Sequence, residues 1–265
     1  MLSLPVTVAL IALELVYLRG WYRLRYAIPH LLTVRQLAAF SCGLLVLWAV
    51  VGSPLAALDH HLLTAHMAQH LLLMTVSAPL ILVGAPIIVL LDGLPKSFRH
   101  LASAPLLRIT NPLICWVAGT ATVIAWHIPA LFALGLGSAR WHEIEYASFF
   151  AAGILFWWPV VQPWPSFAML TRWSIPLYLF LATLPCDALS AFLTFCGRVV
   201  YPHYLSMHHA FNFPARPFNI SPLGDQECAG ALMWVWVTFV YLAPAFVVTV
   251  RTLSPERRAL NAEVA

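Results

Sequence analysis

The sequence predicts an all-α integral membrane bundle of about seven transmembrane helices, on the strength of its composition and its long apolar runs. The chain of 265 residues is 62% hydrophobic and 9% charged, whereas soluble domains carry about 25% charged residues. Its mean hydropathy is +0.84, and its 11 Trp, 15 Phe and 8 Tyr match the aromatic enrichment of membrane interfaces. This composition leaves no room for a sizeable soluble domain.

Seven runs are apolar enough to be spans, since a transmembrane helix needs about 20 mainly apolar residues. They cover residues 2–18, 36–53, 62–91, 112–135, 143–161, 174–196 and 227–250. The N-terminal run lacks a basic region and a small-residue cleavage site, so we interpret it as a retained span rather than a signal peptide. Residues 1–265 are therefore expected to form one transmembrane domain, with a loop at 197–224 and a tail at 252–265.

The basic residues predict the orientation of these spans. With seven alternating spans, eleven of the 14 Lys and Arg fall on one side, and Arg140, Arg198 and Arg216 fall on the other. Because cytoplasmic loops carry the excess of positive charge, we expect the N-terminus outside and the C-terminus in the cytoplasm. The loop 197–224 is then external and is expected to pack over the mouth of the bundle. No basic stripe stands on a soluble face, which argues against nucleic-acid binding.

The five cysteines show no CxxC spacing, which argues against thioredoxin-like and zinc-ribbon sites. Cys196 and Cys228 are both expected near one membrane face, so the sequence leaves a disulfide between them open. No nucleophile–base pair and no phosphate-binding loop stand out either. The sequence therefore predicts a protein that is not an enzyme.

The third run begins with a histidine pair. His66 and His70 are four residues apart, so on a helix they project from one face, which suits two ligands of one metal ion. Pro79, Gly84 and Pro86 predict that this helix is kinked or ends early. The run would reach about 45 Å as a straight helix, against a hydrocarbon core of about 30 Å. We therefore expect the pair at the outer mouth of the bundle.

Further polar residues are expected at the same depth. His127 lies about 15 residues into the fourth run, and Pro129 after it frees a backbone carbonyl nearby. His142 begins the fifth run, Asp187 lies in the outer third of the sixth, and Asp225 precedes the seventh. Ionisable residues inside helical bundles usually line a site. The sequence therefore predicts a polar layer near the outer membrane face.

The chemistry of this layer fits several metals. Imidazole nitrogens with an occasional thioether suit copper, and imidazoles also suit zinc or haem iron. The outer position matches copper handling outside the cytoplasm, although the spacing does not separate the three metals. Met67 is expected to pack rather than to bind an ion.

Several ordered motifs resemble the CtaG-type cytochrome c oxidase assembly factors. They are HMAQHLLL, APLILVGAP, WHIPALF, LFWWPVVQPWP, VVYPHY and SPLGDQECAGALMWV, between residues 58 and 240. The resemblance implies a seven-helix protein of the bacterial plasma membrane that helps to mature haem–copper oxidases through copper delivery. It implies cytochrome c oxidase subunits and other copper chaperones as partners, within the lipid bilayer.

The same resemblance carries over individual residues. They are His66, Met67, Gln69, His70, His127, His142, Asp225 and Gln226. The family pattern has a second histidine four residues after His142, where this chain has Tyr146. The resemblance therefore leaves open how the fifth helix contributes to a site.

The leading hypothesis is an assembly factor that holds copper through His66, His70, His127 and His142. In this hypothesis Asp225 or Asp187 orients the ligands. A second hypothesis is a redox protein with haem between His70 and His127. A third is a copper or proton transporter that uses Asp187 and the histidines as a relay, although the cytoplasmic half has almost no intramembrane polar residues to continue a path.

Overall fold

The computed structural model describes residues 3–27, 32–95, 111–163, 170–205 and 220–254. All the regular elements in these ranges are helices. Six helices are long and apolar enough to cross a membrane, and the number is seven when a bent pair of helices is counted as one span. The prediction of an all-α membrane bundle is therefore confirmed. Most of the loop 197–224 (residues 206–219) and the tail beyond residue 254 lie outside the described residues.

Nine α-helices and one 3₁₀ helix have both of their ends in the described ranges. They are α1 (Ser3–Leu24), α2 (Val34–Val51), the 3₁₀ helix (Pro54–His60), α3 (Leu63–Val83), α4 (Pro86–Gly93), α5 (Pro112–His127), α6 (Pro129–Gly137), α7 (Ala139–Val161), α8 (Ser174–Phe195) and α9 (Pro222–Leu253). Helix α3 is the central one, since 67% of its apolar 18-residue stretch is buried, against 17–39% of the corresponding stretches in the other spans. It packs against α2, α7 and α9.

The predicted run 62–91 consists of two helices, which confirms the early end indicated by its prolines and Gly84. Helix α3 ends at Val83, and α4 begins at Pro86 after Ala85 adopts a left-handed backbone with φ of 49°. The residue before a proline avoids the helical region, so the helix is interrupted here. Tyr17 of α1 donates a hydrogen bond of 2.7 Å to the carbonyl of Gly84, and α4 packs against α1.

The predicted span 112–135 is bent rather than straight. Helices α5 and α6 meet at an angle of 77° around Ile128, which has an extended backbone before Pro129. The carbonyl of His127 accepts a hydrogen bond of 3.1 Å from the hydroxyl of Tyr201 instead of continuing a helix. The bend leaves His127 at the end of α5, facing the other polar residues of the bundle.

A π-helical segment, Leu73–Ser77, lies in the middle of α3. The amide of Ala78 bonds to the carbonyl of Leu73, five residues earlier. In the same register the Met74 carbonyl would need a donor at position 79, but Pro79 has no N–H group. The indole N–H of Trp157 on α7 donates to it instead, over 3.0 Å. The carbonyl that Pro79 leaves without a donor in α3 is thus hydrogen-bonded by the neighbouring helix α7.

Close contact of α7 with this segment requires a glycine. A Cβ atom at Gly153 would lie 2.8 Å from the Cα and the carbonyl oxygen of Met74. Real Cβ atoms do not approach a backbone so closely, so a larger residue here would push the two helices apart. The contact between α3 and α7 therefore depends on the absence of a side chain at residue 153.

The buried ionisable groups gather at one end of the bundle, which we call the mouth: the end at which α3, α7 and α9 begin and α5 ends. They are Asp59, His66, His70, His127, His142, Glu145 and Asp225. The opposite part of the bundle is filled by an apolar cluster that includes Phe156, Tyr178 and Tyr241. The polar layer expected from the sequence therefore lies at a single end of the described helices.

We predict that Trp157→Phe destabilises the protein by about 1–3 kcal/mol, because it leaves the buried Met74 carbonyl without a donor. Thermal unfolding of the detergent-purified protein measures this loss. Trp158→Phe is the matched control, since the indole N–H of Trp158 donates to none of the described residues. Equal melting temperatures for the two variants would contradict the role given to Trp157.

Candidate metal centre

The first turns of α3 direct two histidines into the bundle. His66 and His70 share one face of the helix, and their Nε2 atoms are 2.9 Å apart. Asp225 of α9 fixes where this helix begins, since its carboxylate accepts hydrogen bonds from the amides of Leu63 (2.6 Å) and Thr64 (3.1 Å). The first amides of an α-helix have no partner within the helix, so Asp225 acts as the cap of α3.

A carboxylate from α7 joins the two histidines. Oε1 of Glu145 lies 3.2 Å from Nε2 of His66 and 3.1 Å from Nε2 of His70. The exposed fractions of the three residues are 1% for His66, 4% for His70 and 1% for Glu145. We call this group the buried triad (His66, His70 and Glu145). Its three potential ligand atoms form a nearly equilateral triangle away from solvent.

The buried triad fits a metal ion in both chemistry and size. Metal bonds to histidine nitrogen and carboxylate oxygen measure about 2.0–2.2 Å, so ligand atoms at a tetrahedral angle lie about 3.3 Å apart. The distances of 2.9–3.2 Å in the triad are within a few tenths of an ångström of that value. Two imidazoles and one carboxylate suit Cu²⁺ or Zn²⁺. Three protein ligands would leave a further coordination position open.

Aromatic rings and a glycine shape the walls of the buried triad. Phe149 stacks on the ring of His70 with centroids 4.0 Å apart, and Phe132 meets the ring of His66 at 4.9 Å. A Cβ atom at Gly135 of α6 would lie 2.5 Å from Oε2 of Glu145. Gly135 therefore provides the space that the carboxylate occupies.

His142 belongs to a second cluster rather than to the first. Its Nε2 lies 3.0 Å from Oδ2 of Asp59, and Nε2 of His60 lies 3.8 Å from Oδ1 of the same carboxylate. We call this group the mouth triad (Asp59, His60 and His142). Asp59 is fully buried, whereas the side chain of His60 is 45% exposed. The rings of His66 and His142 lie almost parallel with centroids 6.0 Å apart, so the two triads are neighbours.

Tyr146 lies between the two triads. Its hydroxyl hydrogen-bonds to Oδ2 of Asp59 and approaches Oε1 of Gln69 at 2.6 Å, and its ring stacks on that of His142 with centroids 4.5 Å apart. Burial alone would raise the pKa of Asp59, but His142 and Tyr146 outweigh it and hold that pKa below its usual value. Burial also lowers the pKa of His60. Near neutral pH the mouth triad therefore offers a carboxylate and a neutral imidazole, the forms that bind metals.

His127 joins neither triad. Its Nδ1 donates a hydrogen bond of 2.7 Å to the carbonyl of Val123, which leaves Nε2 as an acceptor when the ring is neutral. Nε2 is buried and has no hydrogen-bond partner among the described residues. Together with His70, His127 lines a cavity of about 30 Å³. The four predicted histidine ligands therefore do not form a single cluster.

Asp225, which was predicted to orient the ligands, contacts the backbone and Thr64 of α3 rather than a histidine ring. Besides the two amides, it accepts a hydrogen bond of 2.6 Å from the hydroxyl of Thr64. Gln226 bridges other backbone groups: it accepts from the amide of Val200 at 2.7 Å and donates to the carbonyl of Arg198 at 3.0 Å. Both residues hold the chain around the mouth together.

The other supporting residues have different surroundings. Met67 packs in an apolar cluster with Phe132 and Tyr201, as the sequence analysis predicted. Gln69 donates to the carbonyl of Ala56 over 3.2 Å and so ties α3 to the 3₁₀ helix. Asp187 lies beside Thr183 and Thr238, away from both triads. The five cysteines are free thiols, so Cys196 and Cys228 form no disulfide.

Glu145, Asp59 and His60 are not among the site residues that the sequence predicts. Helical spacing was the available signal for Glu145, because it shares a buried face of α7 with His142, Tyr146 and Phe149. Asp59 and His60 precede His66 by seven and six residues in the sequence. No local pattern shows that they face a helix more than 80 residues later.

One known protein family matches nearly the whole chain. Residues 15–254 match the family described as cytochrome c oxidase caa3 assembly factor (Caa3_CtaG). The chain belongs to this family. No curated protein and no solved structure gives a match. The resemblance seen in the motifs is therefore confirmed, and the role of this family member is placed in the assembly of cytochrome c oxidase.

We predict that Asp225→Ala lowers the stability of this assembly factor by about 1–2 kcal/mol, the usual cost of removing a helix cap. Thermal unfolding in detergent measures it. Glu227→Ala is the control, because Glu227 is exposed on the same helix two residues away. An unchanged melting temperature for Asp225→Ala would argue against the capping role.

Proposed function

We propose that the protein serves cytochrome c oxidase assembly by binding a copper ion at the buried triad and delivering it to the oxidase. The observation that supports this most directly is the convergence of His66, His70 and Glu145 within 2.9–3.2 Å in a site that excludes solvent. Membership of an oxidase assembly family makes copper the metal of interest, since a haem–copper oxidase must receive copper during its maturation.

Electrostatics favour a cation at this position. A carboxylate taken out of water needs a compensating positive charge or hydrogen bonds. In the buried triad the nearest polar atoms to Oε1 of Glu145 are two imidazole nitrogens, and Oε2 accepts no hydrogen bond from the described residues. A bound copper ion would neutralise Glu145 and accept the lone pairs of both histidines at once.

Delivery requires that the ion also leave. Three protein ligands leave copper an open coordination position, at which an incoming ligand can bind before the protein ligands release the ion. The triad lies near the start of α3 and α7, so the path from the end of the bundle is short. A closed four-ligand cage would hold the ion more tightly and release it more slowly.

We infer that the mouth faces the outer side of the bacterial plasma membrane. The distribution of Lys and Arg in the sequence supports this, because eleven of the 14 lie on the opposite side of seven alternating spans. This orientation gives the copper site access to the compartment outside the cytoplasm and to the outer face of the oxidase subunits.

The haem alternative has less support. Sites for ligands of this size have volumes of about 300–1,000 Å³, whereas the cavity lined by His70 and His127 has a volume of about 30 Å³. Nε2 of His70 also points at Glu145 and His66. An absorption spectrum of the purified protein tests this alternative, because a Soret band would support haem and overturn the preference for copper.

We predict that His66→Ala and His70→Ala each lower the copper content of the oxidase in cells that depend on this protein, while the variants still insert into the membrane. Elemental analysis of purified oxidase measures the effect, and immunoblotting of membranes checks insertion. His61→Ala is the control, because His61 is exposed and belongs to neither triad. Unchanged copper in the oxidase from both His66→Ala and His70→Ala cells would overturn the proposal.

We predict that Gly135→Ala weakens copper binding about 10–100-fold without removing a ligand, because the added methyl group displaces the Glu145 carboxylate. The affinity of purified protein for copper, measured by competition with a chelator, gives the result. Gly137→Ala is the control: it adds the same methyl group two residues along the same helix, where no atom lies within 4 Å. Equal affinities for the two variants would argue against Glu145 as a ligand.

A further inference from the structure

We propose that Asp59, His60 and His142 form a second metal site, through which the ion passes between solvent and the buried triad. The direction of transfer rests on the proposed function, but the second site has its own ligands and is tested separately. It would hold the same kind of ion as the buried triad, a divalent cation that prefers imidazole and carboxylate ligands.

The ligand atoms of the mouth triad are already close to one another. One atom from each residue lies within 4.8 Å of the others, and Nε2 of His142 is 3.0 Å from the Asp59 carboxylate. Asp59 is fully buried, and its Oδ1 accepts no hydrogen bond from the described residues. A buried carboxylate oxygen without a donor is expensive, and a cation held between Oδ1 and the two imidazoles would compensate for it.

The mouth triad is partly accessible, since the side chain of His60 is 45% exposed, whereas the residues of the buried triad are only 1–4% exposed. A cleft of about 700 Å³ opens between α1, α2 and α7, and its walls include Asp59, His60 and His142. None of the three residues of the buried triad lines this cleft. An ion that enters through the cleft therefore meets the mouth triad first.

The two triads are near enough for an ion to pass between them. The rings of His66 and His142 are almost parallel, and their centroids are 6.0 Å apart. Tyr146 contacts both groups, since its ring lies 4.5 Å from that of His142 and 5.5 Å from that of His70. A ligand exchange between neighbouring imidazoles is enough to move an ion across this distance.

The geometry also gives the two triads different strengths. The distances within the buried triad are 2.9–3.2 Å, whereas His60 lies 3.8 Å from Asp59 and is half exposed. A looser and wetter ligand set holds an ion more weakly and exchanges it faster, because water competes for coordination positions. Weak binding outside and tighter binding inside is the order that loading of the buried triad requires.

The test uses the full-length protein in detergent, titrated with Cu²⁺ as the probe. Bound copper is measured by elemental analysis and its environment by electron paramagnetic resonance. We expect two equivalents in the unmodified protein, with spectral broadening from the neighbouring ions. His60→Ala and Asp59→Asn should each bind one equivalent with an unbroadened spectrum. His60→Ala removes a half-exposed side chain, and Asp59→Asn keeps an acceptor for Tyr146, so both variants are expected to fold.

Loading kinetics test the route. Stopped-flow mixing with Cu²⁺ should show that His60→Ala and Asp59→Asn slow the loading of the buried triad by about tenfold or more, while its equilibrium affinity stays the same. His61→Ala is the matched control and should leave both the stoichiometry and the rate unchanged. Unchanged loading rates in His60→Ala and Asp59→Asn would overturn the route.

The stoichiometries separate this inference from the proposed function. A single equivalent that His66→Ala removes, and that His60→Ala and Asp59→Asn retain, would overturn the second site and leave the proposed function intact. A single equivalent that His60→Ala removes, and that His66→Ala retains, would support the second site and overturn copper binding at the buried triad. No bound copper in the unmodified protein would overturn both.

Discussion

The contact of the Glu145 carboxylate with His66 and His70 is the interaction on which the mouth of this bundle depends. It joins α7 to α3, and it places a buried acid against two buried imidazoles. Such a group tolerates little displacement, because a shift of one ångström would break the contacts of Oε1 with the two imidazole nitrogens. Several features outside the triad therefore control the relative position of the two helices.

Those features act on the backbone. Asp225 fixes the first turn of α3, and Gly153 lets α7 approach the π segment of the same helix. Pro79 removes a hydrogen-bond donor within α3, and Pro129 separates α5 from α6; in each region a side chain from another segment donates to the freed carbonyl. Trp157 donates to Met74 and Tyr201 donates to His127. Hydrogen bonds at these two prolines therefore connect neighbouring segments. They allow an irregular bundle to hold a defined site.

The sequence predicted the class of fold and the face of α3 that matters, because both follow from local patterns. Composition identifies a membrane bundle, and an i, i+4 histidine pair shares one side of any helix. The partners of that pair were not predictable in the same way. His142 was expected beside His66 and His70, yet its Nε2 lies against Asp59, and Glu145 one turn later takes the place beside the pair. Which of two residues on one face of α7 meets α3 depends on helix rotation and tilt, and a single sequence contains no direct signal for these.

Tyr146 explains why two triads exist here rather than one larger cluster. The resemblance described above predicts a histidine at this position, and an imidazole there would add a ligand between Asp59 and His70. A phenol is a poorer ligand than imidazole while it keeps its proton, and that proton is used in the hydrogen bond to Asp59. The ring of Tyr146 contacts that of His142 in the mouth triad and that of His70 in the buried triad. In the proposed function, a tyrosine at this position keeps the two ligand sets distinct, and two neighbouring sites of unequal strength suit an ion that is first captured and then passed on.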